Sequence, residues 1–184
     1  MVARAVFLDR DGVLNANVAR DGRPVAPWRL EDYEILPGVP EAVSALKRAG
    51  FVTVVVTNQP DIATGRSTRA TLDAMHDELR RHVAIDDIRV CPHVDADACA
   101  CRKPKPGMIL AAAADHAVAL ERSWLVGDRW RDIAAGHAAG CRSILVGDWD
   151  REAPNGMRPA DATAKSLQDA VAIILRDEHL QAAG

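Results

Sequence analysis

Short apolar runs alternate along the chain with segments of helical periodicity. Each run is rich in β-branched or aromatic residues and ends at a polar or turn-forming residue, which is the pattern of a strand buried on both faces of a sheet. The runs predict strands at 5–8, 51–56, within 85–90, at 123–126 and at 143–146, with a short edge strand at 162–163. These strands predict one sheet, and the segments between them connect its strands.

Between these runs, apolar residues recur at spacings of three and four, which is typical of helices that pack one face on a sheet. The spacing predicts helices at 39–49, 67–83, 108–118, 131–139 and 167–175. Strands that alternate with helices predict an α/β layered sheet with parallel strands and right-handed crossovers. The stretch 16–36 contains glycine and proline without a clear period, so we expect an irregular, functional loop there.

Polar side chains follow three of the predicted strands at the point where each strand ends. They are Asp9, Asp11, Thr57, Asn58, Gln59 and Asp128. Because the carboxyl ends of parallel strands meet at one edge of a sheet, we expect these side chains to converge. Three carboxylates at one edge form an oxygen-ligand site that suits Mg²⁺.

Two cations, Arg102 and Lys103, lie in a segment that prolines hold extended. A divalent cation, carboxylates and a lysine together neutralise the charge of a transferring phosphoryl group. A carboxylate such as that of Asp9 can also attack phosphorus and form an aspartyl-phosphate. The pattern therefore predicts Mg²⁺-dependent phosphoryl chemistry.

A second cluster consists of sulfur and imidazole groups within eleven positions. Its members are Cys91, His93, Cys99 and Cys101. In a reducing compartment such spacing favours a tetrahedral Zn²⁺ site over disulfides, and a complete set of four ligands indicates a structural ion. We expect this zinc loop, residues 91–103, to stiffen the segment that presents Arg102 and Lys103. Cys141 stands apart, and we expect a buried thiol there.

Composition narrows the classes of function. The chain has 184 residues and a formal net charge of −3, which fits one core and gives no electrostatic footprint for nucleic acid. We expect a single domain over 1–184, a cytoplasmic monomer and no membrane partner, since no signal peptide or spanning run is recognisable. Neither a phosphate-binding P-loop motif nor a dinucleotide-binding glycine motif occurs.

Five histidines in or near helices lack partner motifs, and we expect them in surface or cap positions: His76, His82, His116, His137 and His179.

Four segments resemble the motifs of the haloacid dehalogenase-like phosphatases, and in particular their zinc-loop subgroup. These are residues 9–15, 55–59, 101–104 and 126–128. The resemblance implies a Rossmann-like three-layer parallel sheet without a large cap domain. It also implies an enzyme that cleaves a phosphoric monoester of a small phosphorylated sugar, for which we expect a heptose bisphosphate at its 7-phosphate.

The same resemblance implies roles for individual residues. Asp9 is expected to be the nucleophile and Asp11 the general acid and base. Mg²⁺ would be held by Asp9, the backbone carbonyl of Asp11, and Asp128. Thr57 and Lys103 would stabilise the phosphoryl group. The expected substrate contacts are Asn58, Gln59, Arg102 and Arg129.

Three alternatives stay open at this point. The short gap between His93 and Cys99 resembles histidinol-phosphate phosphatases, and Thr64 replaces an arginine that is usual in the heptose group. A receiver-like signalling module would also use paired acids and Mg²⁺ to accept a phosphoryl group, although it would not carry a zinc loop. A zinc-dependent nucleic-acid module would need a basic surface with interleaved aromatic residues, which the sequence lacks.

Overall fold

The computed structural model describes residues 2–147 and 153–182. Within them, six strands form one sheet: β1 (Arg4–Leu8), β4 (Phe51–Asn58), β5 (Asp87–Cys91), β6 (Trp124–Gly127), β7 (Arg142–Val146) and β8 (Ala162–Ala164). Their order is β5-β4-β1-β6-β7-β8, and every neighbouring pair is parallel. A separate antiparallel hairpin consists of β2 (Val18–Arg20) and β3 (Arg23–Val25).

Five helices cover the two faces of this sheet in the described residues. They are α1 (Val39–Arg48), α2 (Arg69–His82), α3 (Gly107–Asp115), α4 (Trp130–Ala139) and α5 (Leu167–Ala182). One apolar cluster joins the sheet to α1, α5 and the end of α2, and a second joins its other face to α3 and α4. The predicted three-layer α/β fold is therefore confirmed.

The central position of β1 in the sheet explains why its sequence is a continuous apolar run. Val6 and Leu8 belong to the first cluster, whereas Ala5 and Phe7 belong to the second. Successive side chains of a strand point to opposite faces, so a central strand between two helical layers needs apolar residues at every position. Burial of both faces leaves polar groups only at the two ends of β1, where Arg4 begins the strand and Asp9 follows it.

The stretch 16–36 is more ordered than predicted. It contains the hairpin and a short 3₁₀ turn at Leu30–Asp32. Asp21 and Gly22 connect the two strands, and both adopt positive φ angles, 50° and 71°. An Asp-Gly pair is a strong signal for a tight hairpin, but strands of only three residues give too little alternation to be recognised.

Two helix ends also differ from the prediction. Helix α3 ends at Asp115 instead of 118, because Ala117 takes a left-handed φ of 50° and Val118 pairs with Ala3. Helix α5 continues to Ala182, beyond the predicted end at 175. The single-domain prediction over 1–184 includes residues 1, 148–152 and 183–184, which lie outside the described residues. Among the described residues, no helix has both the length and the apolar character required to span a membrane.

Candidate active site

A cavity of about 270 Å³ opens at the carboxyl ends of β1, β4 and β6. Among its walls are seven of the residues that the sequence singled out: Asp9, Asp11, Asn58, Arg102, Lys103, Asp128 and Arg129. The hairpin contributes Pro24 and Val25 to the opposite wall. The expected convergence at one edge of the sheet is thus observed.

Lys103 forms the floor of the cavity. Its Nζ donates to Asp9 Oδ1 at 2.8 Å, to Asp132 Oδ1 at 2.5 Å and to the carbonyl oxygen of Val56 at 2.7 Å. Burial alone would lower the pKa of Lys103, but the charges of Asp132 and Asp9 outweigh burial and raise it. The ammonium group therefore stays charged, with each of its three hydrogens bound to an acceptor.

Asp9, Asp128 and Asp132 bring carboxylate oxygens within 4.8 Å of one another. Burial and the charge of Asp132 raise the pKa of Asp9 well above its usual value, and the same two causes raise that of Asp128 to about 6. Lys103 balances Asp9 and Asp132 only in part, because three carboxylates face one ammonium group, and the hard oxygen donors of Asp9 and Asp128 fit Mg²⁺. The residues present therefore fit the expected cation.

Sequence reasoning missed Asp132. It lies in the first turn of α4, where its Oδ2 accepts a hydrogen bond from the backbone N–H of Arg129 at 3.0 Å. Its position four residues after Asp128 was a usable signal, since a helix that starts directly after a strand end returns this residue toward the same edge. The side chain therefore both caps the helix and holds Lys103.

The carboxylate of Asp11 is held by three neighbours. Arg10 donates from Nη2 at 3.0 Å and from Nε at 3.3 Å, Asn15 donates at 3.0 Å, and Gln59 donates at 2.7 Å. Burial alone would raise the pKa of Asp11, but the charge of Arg10 and these hydrogen bonds lower it below its usual value. Gly12 next to it has a φ of 85°, and a Cβ there would lie 2.3 Å from Asp128 Oδ2.

Arg10 is fully buried, and its Nη1 lies 3.3 Å from His76 Nε2. His76 is itself only 4% exposed, so the surface or cap position expected for it is wrong. Burial, with the charges of Arg10 and Arg80, lowers the pKa of His76 to about 4. Three other histidines pair with acidic side chains at or near the surface: His82, His116 and His137. The side chain of His179 lies outside the described part of the chain.

Two of the expected substrate contacts have other partners. Asn58 donates to the carbonyl oxygen of Lys103 and accepts from its backbone N–H, both at 3.1 Å, so its amide group fastens that segment to β4. Gln59 is 4% exposed, does not line the cavity, and donates to Asp11 and to Thr57 Oγ1, the latter at 2.8 Å. Direct substrate contact by Gln59 is therefore not supported, because its amide nitrogen is already engaged beneath the cavity.

Three arginines line the mouth of the cavity: Arg102, Arg129 and Arg131. Asp95 Oδ1 accepts from Arg102 Nε at 2.7 Å and from Arg131 Nη1 at 3.3 Å. Arg129 Nη2 donates to the Pro24 carbonyl oxygen at 3.0 Å and so ties the hairpin to the start of α4. Arg131 is a second residue that sequence reasoning missed, and its position in the first turn of α4 gave no distinct signal.

The four predicted zinc ligands form one compact cluster. Cys91 Sγ lies 3.2 Å from Cys101 Sγ and 3.6 Å from both Cys99 Sγ and His93 Nδ1. Four soft or borderline donors at these separations fit a tetrahedral Zn²⁺. Cys141 is buried and belongs to the apolar cluster under α3 and α4, as expected.

Comparison with known proteins agrees with this geometry. The family model for HAD-hydrolase-like proteins matches residues 100–170. The chain is 40% identical over 148 residues to the D-glycero-beta-D-manno-heptose-1,7-bisphosphate 7-phosphatase of Pseudomonas putida. The aligned region covers 78% of this chain and 82% of that protein. It is 34% identical over 178 residues to the enzyme of the same name from Escherichia coli K12, with 90% of each chain covered.

A solved structure gives the same result. The crystal structure of D,D-heptose 1,7-bisphosphate phosphatase from B. bronchiseptica, complexed with magnesium and phosphate, superimposes with a TM-score of 0.82 at 34% identity. The match covers 95% of this chain and 99% of that one. This chain therefore belongs to the haloacid dehalogenase-like phosphatases. The relatives just described are heptose bisphosphate phosphatases within that family.

Proposed function

We propose that this protein is a Mg²⁺-dependent phosphatase that removes the 7-phosphate from D-glycero-D-manno-heptose 1,7-bisphosphate. The observation that carries the proposal is the ion pair of Asp9 with buried Lys103 on the floor of a cavity that Asp11 and Asp128 also line. The similarity over most of the chain to heptose bisphosphate phosphatases supports the choice of substrate.

The proposed reaction has two steps. The negative phosphate of a bound substrate favours the protonated form of Asp11, whose pKa its neighbours otherwise hold low. Asp9 attacks phosphorus and forms an aspartyl-phosphate, while the bond to the sugar oxygen breaks and Asp11 gives that oxygen its proton. Water then attacks phosphorus and loses a proton to Asp11, which frees phosphate and restores Asp9. When bound by Asp9, Asp128 and the backbone carbonyl of Asp11, Mg²⁺ would neutralise charge on the phosphoryl group. Lys103 would balance the remaining charge of that group, and the buried Thr57 would support the site from beneath through its contact with Gln59.

The cations at the cavity mouth support a substrate with two phosphates. Arg102, Arg129 and Arg131 all line the cavity. Arg102 and Arg131 share one carboxylate oxygen of Asp95, so their positive charge is only partly balanced. A second phosphate of the sugar would complete that balance with bidentate hydrogen bonds to guanidinium groups. Substrate contact by Arg102 and Arg129 follows the sequence prediction, and Arg131 joins them.

Zinc in the Cys91–Cys101 cluster would have a structural role. Four ligands leave no open position for chemistry, and Cys101 directly precedes the two cations Arg102 and Lys103. An ion there would fix the backbone from which both side chains reach the cavity. The single domain, the monomeric state and the cytoplasmic location stay predictions from the sequence.

The test is a panel of phosphate esters assayed with Mg²⁺ and with a chelator. We expect Mg²⁺-dependent release of one phosphate from heptose 1,7-bisphosphate, with the 1-phosphate retained, and assays of both anomers would define the preferred form. Release from histidinol phosphate but from neither heptose anomer would contradict the proposed substrate. One stoichiometric phosphorylation without release would instead favour a receiver-like module.

A further inference from the structure

Gln59 has a fixed position directly beneath the cavity. Its backbone N–H donates to the carbonyl oxygen of Cys91 at 2.7 Å, which ties the end of β4 to β5. Its side chain is 4% exposed and reaches Asp11 on one side and Thr57 on the other. The side chain is thus buried between two residues to which the proposed reaction gives different roles.

The orientation of the Gln59 amide follows from its neighbour. Asp11 Oδ2 lies 2.7 Å from one terminal atom of the amide. An ionised carboxylate can only accept hydrogen bonds, so the atom that faces it must be the nitrogen Nε2. The same nitrogen lies 2.8 Å from Thr57 Oγ1 and donates its second hydrogen there. Both amide hydrogens of Gln59 are therefore used.

This bond decides what the Thr57 hydroxyl can do. A hydroxyl has one hydrogen to donate and can accept at its oxygen. Since Thr57 Oγ1 accepts from Gln59, its own hydrogen is left to donate elsewhere, and within the described ranges no protein acceptor binds it. Thr57 is fully buried and is not among the residues that line the cavity, so its hydroxyl oxygen is a fixed anchor for the Gln59 amide beneath the cavity.

The other partners of Asp11 do not make this connection. Arg10 and Asn15 also donate to the carboxylate, yet their remaining side-chain bonds go to His76, Met75 and the carbonyl of Ala16. Among these three donors, Gln59 alone also contacts Thr57. Loss of its amide would leave Asp11 Oδ2 with only the longer hydrogen bond from Arg10 Nε, at 3.3 Å, and would free the hydroxyl of Thr57 at the same time.

We propose that Gln59 is a positioning residue that ties Asp11 to the buried hydroxyl of Thr57 and so aims the Asp11 carboxyl group at the leaving oxygen. This inference rests on the proposed function, because it takes Asp11 as the general acid. It predicts that Gln59 affects esters with a poor leaving group more strongly than esters with a good one.

Two substrates separate the effect of Gln59 on Asp11 from its effect on Thr57. The value of kcat/KM covers steps only up to formation of the aspartyl-phosphate, so it does not include the later attack by water. Cleavage of the heptose ester needs a proton on the leaving oxygen, whereas p-nitrophenolate leaves without one. Thr57 does not line the cavity, so a change at its hydroxyl affects the two esters alike. A ratio of kcat/KM for the two esters therefore isolates the effect that passes through Asp11.

The experiment measures this ratio in the full chain for wild type, Gln59→Leu, Gln59→Glu and the control Thr53→Val. Gln59→Leu keeps the approximate volume without the donors, and Gln59→Glu puts an acceptor beside Asp11. Thr53 lies on the same strand, is fully buried and donates to the carbonyl oxygen of Ala84 at 2.9 Å, outside the site. Its replacement shows how much kcat/KM changes when a buried hydrogen bond on β4 is lost outside the site.

We expect both Gln59 variants to lose about 100-fold in kcat/KM on heptose 1,7-bisphosphate and less than about tenfold on p-nitrophenyl phosphate. The ratio for Thr53→Val should equal that of wild type. Equal losses on the two esters, or no loss on either, would overturn the role of Gln59 while leaving the proposed function intact. If wild type itself hydrolysed neither ester, the proposed function and this inference would both fail.

Discussion

Lys103 Nζ lies 2.8 Å from Asp9 Oδ1, although 94 residues separate the two in the sequence. The zinc loop and the end of β1 meet through this ion pair. Because Lys103 also binds Asp132 and is only 3% exposed, it balances two buried carboxylates at once. The pair therefore contributes both to the stability of the fold and to the charge of the site.

The first prediction concerns the stability contributed by Lys103. Lys103→Met should lower the free energy of unfolding by roughly 3–5 kcal/mol, since removal of one partner leaves buried charges without compensation. Urea denaturation of the purified variant measures this change. The matched control is Lys47→Met, because Lys47 pairs with Asp86 at a half-exposed position where such a pair is worth about 1 kcal/mol or less. Equal losses in the two variants would contradict the account.

Much of this site could be predicted from the sequence, because strand ends are recognisable. Apolar runs located Asp9, Asp11 and Asp128, and a parallel sheet brings such positions to one edge. Asp132 and Arg131 were missed because they lie on a helix, where acidic and basic residues are common without a function. His76 was misplaced because its burial depends on Arg10, which is distant in sequence. The contacts of Gln59 also depend on tertiary structure, since no pattern in the sequence links it to Asp11.

The second prediction concerns zinc. Cys99→Ser should lower the zinc content of protein purified without chelators and lower its thermal stability, because one ligand of four is lost. Metal analysis and a thermal melt measure the two effects. Cys141→Ser serves as the control, since Cys141 is buried in the apolar core outside the cluster and its replacement should leave zinc bound. Wild-type protein without zinc would contradict a structural zinc site.

The third prediction concerns acid stability. Burial and the charges of Arg10 and Arg80 lower the pKa of His76 from its usual value of 6.5 to about 4. Between these two values the unfolded chain binds a proton that the folded chain does not, so stability falls as the pH decreases. The full difference corresponds to about 3 kcal/mol. We therefore expect the free energy of unfolding to decrease more steeply from pH 6.5 to 4 in wild type than in His76→Gln.

Denaturation at a series of pH values tests this prediction. The control is His82→Gln, because His82 is exposed on the same helix and pairs with Glu78 at the surface. In that variant the free energy of unfolding should decrease from pH 6.5 to 4 as steeply as in wild type. Parallel curves for wild type and His76→Gln would show that His76 does not resist protonation in the folded state.

The central claim is that Asp9 carries the phosphoryl group. Asp9→Asn should still fold, because Asp132 continues to balance the charge of Lys103, but it should lose turnover, because an amide cannot form the aspartyl-phosphate. The control Asp73→Asn alters an exposed partner of Arg69 and should retain full activity. Retained turnover in Asp9→Asn would remove this residue as the nucleophile.

The most direct measurement is a rapid acid quench of the working enzyme, followed by mass spectrometry of its peptides. The account predicts one added phosphoryl group on Asp9 in the wild type and none in the Asp9→Asn variant. Phosphate release without any phosphorylated intermediate, or a phosphoryl group on Asp11, would contradict the claim that Asp9 is the nucleophile.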